Sequence, residues 1–274
     1  MTVDNALRTP SRTSEFTIDV KDVSYSYATA GEEILSDLSF TSRSGEFICL
    51  LGPSGCGKTT VLRLLAGFDQ PTNGAVLVQG GPVKGPGVDR GVVFQGDDSL
   101  FNWLTAIENI TFGPRMRGMS AGAAEGVARQ FLDLVGLVGH EQKYPAELSG
   151  GMRQRIQIAR VLANDPQILL MDEPFGALDA QTRTELQDEL ERIWAATRKS
   201  VVFITHDIME AITLADRVGV MRSGPRSNIR EFVDIDLPRP RLRSSPRFGE
   251  LYERISGLIL DEVRASRARA GAVS

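Results

Sequence analysis

A chain of 274 residues, 42% apolar and 24% charged, has the balance of an ordinary globular protein, with room for one large domain or two small ones. Its net charge of -4 argues against nucleic acid as the main partner, since such binders carry a basic patch or stripe. Two cysteines, Cys49 and Cys56, give no disulfide framework and fit a reducing compartment, while the longest apolar runs, 47–51 and 168–171, fall far short of the roughly 18 residues a membrane span requires.

Residues 1–14 are polar and lack the apolar region of a secretion signal, so membrane association is expected only through a partner. Residues 16–40 alternate Val, Ile, Tyr and Phe around the turn-like Thr29-Ala30-Gly31, which predicts an antiparallel β layer. The apolar run 47–51 ends in glycine and reads as a buried strand, with a helix expected over 59–66. Residues 91–94, 168–171 and 201–204 read as further strands. Between them, 120–138 places Val127, Phe131, Leu134 and Val135 at helical spacing before a C-terminal Gly136. A second helix is predicted over 150–163, ending before Asp165-Pro166. After Pro238-Arg239-Pro240, an amphipathic helix is expected with Ser245 as cap, Pro246 opening it, and Phe248, Leu251, Ile255, Leu258 and Ile259 on one face. Strands alternating with helices define an α/β fold with a largely parallel sheet.

The segment Gly52-Pro53-Ser54-Gly55-Cys56-Gly57-Lys58-Thr59 fits G-x-x-x-x-G-K-[ST] between a buried strand and a helix. Successive backbone N–H groups freed by the glycines can wrap phosphates, and the following helix presents the positive end of its dipole. Lys58 is then expected to neutralise the β- and γ-phosphates of ATP, the Thr59 hydroxyl to ligate Mg²⁺, and Thr60 to belong to the nucleotide-binding set. Cys56 occupies a variable position of the loop and reads as a small spacer.

The run 168–171 ends in Asp172-Glu173, and the C-terminal ends of parallel strands are where ligands bind. Asp172 there can hold Mg²⁺ through water, and Glu173 can act as general base toward an attacking water. Gln95, at the end of 91–94, can reach the metal or that water, and His206, at the end of 201–204, can bond the γ-phosphate and orient Glu173. Leu148-Ser149-Gly150-Gly151-Met152 opens a helix with serine and two glycines, which is either an ordinary N-cap or a second anion-binding N-terminus. The second possibility implies an extra site, or one shared between two subunits.

In order and spacing these residues resemble the ATPase subunit of an ABC (ATP-binding cassette) transporter, over about residues 16–241. The resemblance implies a P-loop NTPase fold with a RecA-like parallel-sheet core, an N-terminal antiparallel β layer and a helical insert. It sets an ATPase domain at 14–240, the insert at about 97–160, and a tail at 241–274. It also implies that Tyr27 stacks on adenine, with Tyr25 as rival. The resemblance further implies that two copies pack head to tail, so that Ser149, Gly150 and Gly151 of one would clamp the γ-phosphate held by Lys58 of the other, with Asp179 of the Ala177-Leu178-Asp179 loop lining the seam. Gly85-Pro86-Gly87, Asn102-Trp103-Leu104-Thr105 before Glu108-Asn109, and Met152 are similar to the nitrate/sulfonate/taurine-type importers, although Phe101-Asn102 replaces their usual leucine-proline. Such a subunit sits peripherally on the cytoplasmic face of the inner membrane against a permease, with a separate substrate-binding protein. Leu100, Phe101 and Trp103 are expected either at the permease contact or in a core patch of the helical insert, and the two can hold for different side chains. Two other classes compete: a soluble ABC ATPase acting on DNA or ribosomes, which normally has a coiled-coil insertion or tandem cassettes, and a P-loop kinase, which has no use for the Leu148-Ser149-Gly150-Gly151 segment.

Overall fold

Runs of buried residues fold into strands here wherever both of their faces find a partner. The computed structural model describes residues 16–27, 32–95, 99–176 and 178–271. In chain order it contains β1 (Phe16–Ser26), β2 (Glu33–Arg43), β3 (Phe47–Leu51), α1 (Lys58–Ala66), β4 (Asn73–Val78), β5 (Gly81–Pro82) and β6 (Arg90–Val93). There follow α2 (Ala106–Met116), α3 (Ala121–Leu134), α4 (Gly150–Leu162), β7 (Ile168–Asp172), α5 (Ala180–Thr197) and β8 (Ser200–Thr205). The chain ends with α6 (Ile208–Leu214), β9 (Arg217–Met221), β10 (Ile229–Asp234) and α7 (Pro246–Gly271).

One sheet is antiparallel, in the order β2-β1-β4-β5; the other has the order β10-β9-β3-β8-β7-β6 and is parallel except for the antiparallel edge strand β10. Strands β3, β7 and β8 serve two cores at once. Phe47, Cys49 and Leu51, with Leu169, Met171, Val201 and Phe203, face the layer formed by the insert and the later helices. Ile48 and Leu50, with Ile168, Leu170, Val202 and Ile204, face α1 and the antiparallel sheet. Burial on both faces is why these strands read as unbroken apolar runs rather than as alternating ones.

Register decides where the chemistry lies. Leu51 pairs with Thr205 and Asp172 with Ile204, so β3, β7 and β8 end together, and the segments that follow them share one edge.

Helices α2, α3 and α4 pack against one another as the insert. Thr105 and Glu108 form a capping box at the start of α2, and the Thr105 N–H holds the Glu108 carboxyl below its usual range. Buried Asn109 ties the approach to this helix: its amide oxygen accepts from Phe101 N at 2.8 Å, and its nitrogen donates to the carbonyls of Phe101, Leu104 and Thr105. Beside that knot the two alternatives divide by side chain, with Leu100 turned into the core. Phe101 lies half-buried between Phe112 and Trp103, and Trp103 is 73% exposed. At the other end of the chain, α7 buries Phe248, Leu251 and Ile255, with Leu258 and Ile259 packed beside them. Ser245 accepts from Phe248 N at 3.3 Å at its start. Among the described residues, no helix is long and apolar enough to cross a membrane.

Candidate active site

The loop after β3 is shaped by close approach. A Cβ on Gly52 would stand 2.9 Å from Cys56 Sγ, and one on Gly57, where φ is +91°, would stand 2.8 Å from Leu35 Cδ2. Gly57 is also the N-cap of α1, and no side chain caps it, so the first N–H groups of the helix remain directed at the loop. Buried Lys58 donates from Nζ to Gly52 O at 2.8 Å and Pro53 O at 3.0 Å, with Cys56 Sγ at 3.8 Å. Burial raises the Cys56 thiol above its usual range despite the neighbouring ammonium, which keeps it protonated and unreactive.

A cavity of about 350 Å³ opens over this loop. Ser54, Gly55, Gly57, Lys58, Thr59 and Thr60 line it, together with Tyr27, Ile34 and Glu173. The two tyrosines separate clearly. Tyr25 is buried, edge-on to Tyr27 at 5.0 Å, whereas Tyr27 faces the cavity with its hydroxyl 3.3 Å from Thr60 Oγ1.

The acids arrive from β7. The Thr59 hydroxyl donates to Asp172, whose carboxyl is lifted above its ordinary range by burial first and by the charge of Glu173 second, against the pull of that hydrogen bond and of Lys58. A hydroxyl and a carboxylate meeting in this way are hard oxygen donors, the set Mg²⁺ takes. Glu173 lies just past the strand with φ of +43°, a left-handed conformation that costs a non-glycine residue on the order of 1–3 kcal/mol. It is held there by its N–H, which donates to Ile204 O at 2.9 Å. Its Oε2 lies 3.1 Å from His206 Nδ1. Strand β6 stops at Val93, so Gln95 stands two residues past the strand end rather than on it. Its amide and the Glu173 carboxylate both lie beside Gly176, where a Cβ would sit 3.4 Å from Gln95 Nε2 and 3.7 Å from Glu173 Oε2.

The second group of predicted residues meets elsewhere. Ser149 caps α4 by accepting from Met152 N at 3.3 Å. Gly151 is packed so closely on the start of α5 that a Cβ would lie 2.8 Å from Thr182 Cγ2, and one on Gly150 would lie 3.6 Å from Leu178 Cδ2. Asp179 caps α5, accepting from Gln181 N and Thr182 N, and the bond from the Thr182 hydroxyl holds its carboxyl below the usual range. Ser149, Gly150, Gly151 and Asp179 thus share one corner, and none of them lines the cavity. Ala177, expected in the same loop, lies outside the described residues.

Two residues of the site went unread in the sequence. Ile34 lines the cavity, and Glu210 lies buried four positions after His206. For Glu210 a signal was present, an acid in the first turn of the helix that follows the histidine.

The family model described as ABC transporter matches residues 35–176. An uncharacterized ABC transporter ATP-binding protein of Methanocaldococcus jannaschii is 51% identical over 232 residues, covering 85% of this chain and 86% of that protein. A taurine import ATP-binding protein of Jannaschia sp. is 44% identical over 237 residues, covering 84% and 87%. A nitrate import ATP-binding protein of Synechococcus elongatus is 47% identical over 223 residues, covering 79% and 81%. Among solved structures, a dimeric ATP-binding cassette in a post-hydrolysis state bound to ADP and Pi matches with a TM-score of 0.68 at 30% identity, covering 80% of this chain and 98% of that one.

Proposed function

The chain belongs to the ABC transporter family of ATPases, and from that premise we propose that it powers an importer of a small anion or organic solute, such as taurine, another sulfonate or nitrate. The observation that carries the reading is the single cavity onto which Tyr27, the phosphate loop, Lys58, Thr59 and Glu173 all open, with His206 against Glu173. Adenine stacks on Tyr27, the loop N–H groups and Lys58 take the phosphates, and Thr60 closes the floor. Glu173 accepts the proton of the attacking water, while His206 fixes the orientation of its carboxylate. Thr59, Asp172 and Gln95 would hold Mg²⁺, which when bound supplies charge neutralisation on the phosphate oxygens.

The corner formed by Ser149, Gly150, Gly151 and Asp179 serves a second copy of the chain. An anion-binding helix start that lies off its own cavity is explained by a head-to-tail dimer, in which it contacts the γ-phosphate held by Lys58 of the other copy. Exposed Trp103 on the insert, beside half-buried Phe101, is the surface offered to the permease, which brings the subunit to the cytoplasmic face of the membrane. A separate binding protein delivers the solute, and nucleic acid has no part in the cycle.

Co-purification from membranes tests this reading directly. The chain is expected to follow a permease through detergent extraction, and deletion of its gene to abolish growth on one of taurine, another sulfonate or nitrate as sole source. A chain recovered free of any permease, or bound to ribosomes or DNA, overturns it.

A further inference from the structure

His206 is 64% exposed at its side chain, so its ring is placed mainly by the backbone that carries it. That backbone is organised by a hydroxyl. Thr205 Oγ1 accepts from Asp207 N at 3.0 Å and donates to Glu210 Oε2 at 2.6 Å, so both neighbours of His206 meet at one oxygen. Glu210 is only 5% exposed, and a carboxylate is expensive to bury without partners. Here it has several. Gln187 Nε2 donates to its Oε1 at 3.1 Å, and Arg183 Nε stands 3.7 Å from the same oxygen. The amide oxygen of Gln187 in turn accepts from Arg243 at 2.6 Å, in the segment between β10 and α7. Glu210 does not line the cavity.

A threonine hydroxyl is a free rotor unless an acceptor fixes its proton. With the proton committed to Glu210, a lone pair is left facing the Asp207 N–H, and the turn through His206 is closed. We propose that Glu210 is a positioning residue for His206, acting through Thr205 and braced by Gln187, Arg183 and Arg243. The inference rests on the reading of His206 as the residue that orients Glu173.

Glu210→Gln isolates the effect. The amide keeps the volume of the carboxylate but accepts at one end only, so it must present a donor either to Gln187 Nε2 or to the Thr205 hydroxyl. Steady-state ATP turnover by the full-length chain, assembled with its partner copy, is expected to show kcat down about tenfold with KM changed by less than about twofold. In a His206→Ala background the same substitution is expected to cost nothing further. Thr205→Val should match Glu210→Gln, while Thr205→Ser, which keeps the hydroxyl, should retain turnover. Equal losses from Glu210→Gln in both backgrounds, or a lower melting temperature with kcat unchanged, would overturn the proposal. Should Glu210→Gln fail to fold, the Thr205 pair decides: equal turnover of the Val and Ser variants counts against it. Undiminished turnover in His206→Ala alone would instead remove the underlying reading of His206.

Discussion

The positive N-terminus of α1 differs from those of α4 and α5 in who satisfies it. At α1 the N-cap is Gly57, without a capping side chain, and the loop, Thr59, Asp172 and Glu173 gather around it because β3 and β7 end in register with β8. At α4 and α5 the N-caps are Ser149 and Asp179, each with a side chain accepting from its own helix. A positive helix end is therefore not sufficient to make a catalytic site. Convergence of strand ends assembles the first corner within one chain, whereas in the proposed function the second receives its phosphate from another copy.

The sharpest way to break this contrast is Glu173→Gln. Turnover is expected to fall by about 10²–10⁴-fold, since the general base of the proposed mechanism is lost, with equilibrium ATP affinity retained. Phosphate-release assays read the first quantity and nucleotide titration the second, and undiminished hydrolysis would remove Glu173 from its role. Ser149→Arg probes the other corner. It should weaken ATP-dependent dimerisation at least about tenfold in sedimentation experiments, because a charge-assisted bond to phosphate is replaced by a bulky side chain. ATP binding by the separate chains should stay unchanged; intact dimers would refute the shared site.

Smaller effects sharpen the comparison further. Tyr27→Ala is expected to weaken ATP binding about threefold to tenfold through loss of ring stacking. Tyr25→Ala, a core truncation, should instead lower stability by about 3 kcal/mol in denaturant melts. Equal loss of affinity in both would show that the cavity does not discriminate between them. Smallest of all, Thr105→Ala removes the cap of α2 and should cost about 1 kcal/mol of stability without altering kcat.

Much of this architecture is legible in the sequence, for reasons particular residues make plain. Strands β3, β7 and β8 are visible because burial on both faces confines their polar residues to the strand ends, Asp172, Ser200 and Thr205. The phosphate loop is visible because its glycines are demanded by contacts such as Gly52 with Cys56. Helix α5 is harder to see, since its 18 residues bury only a narrow stripe and one member of that stripe is Gln187. Alternation along β1 places Tyr25 and Tyr27 on one face, and only the end of the strand at Ser26 separates their fates. Leu100 is left between two alternatives because a loop has no period from which burial can be inferred; the knot around Asn109 beside it is a tertiary fact. Glu210 is missed because charge predicts solvation, and neither the Thr205 hydroxyl nor the Gln187 amide that compensates it announces a partnership across the fold.

Lys58 has three protons and, within its own loop, three acceptors in Gly52 O, Pro53 O and Cys56 Sγ. On the proposed function, phosphate binding at Lys58 is an exchange: each oxygen offered to the ammonium displaces one that the chain already supplies. Like-for-like exchange gains little for a small, weakly charged anion. A polyphosphate that engages Lys58 and the α1 N–H groups together gains through the linkage of its contacts. The carbonyls also give the lysine somewhere to return after each product leaves. Discrimination among anions and preservation of the loop between turnovers would then follow from one side chain exchanging the partners seen here for those of the proposed function.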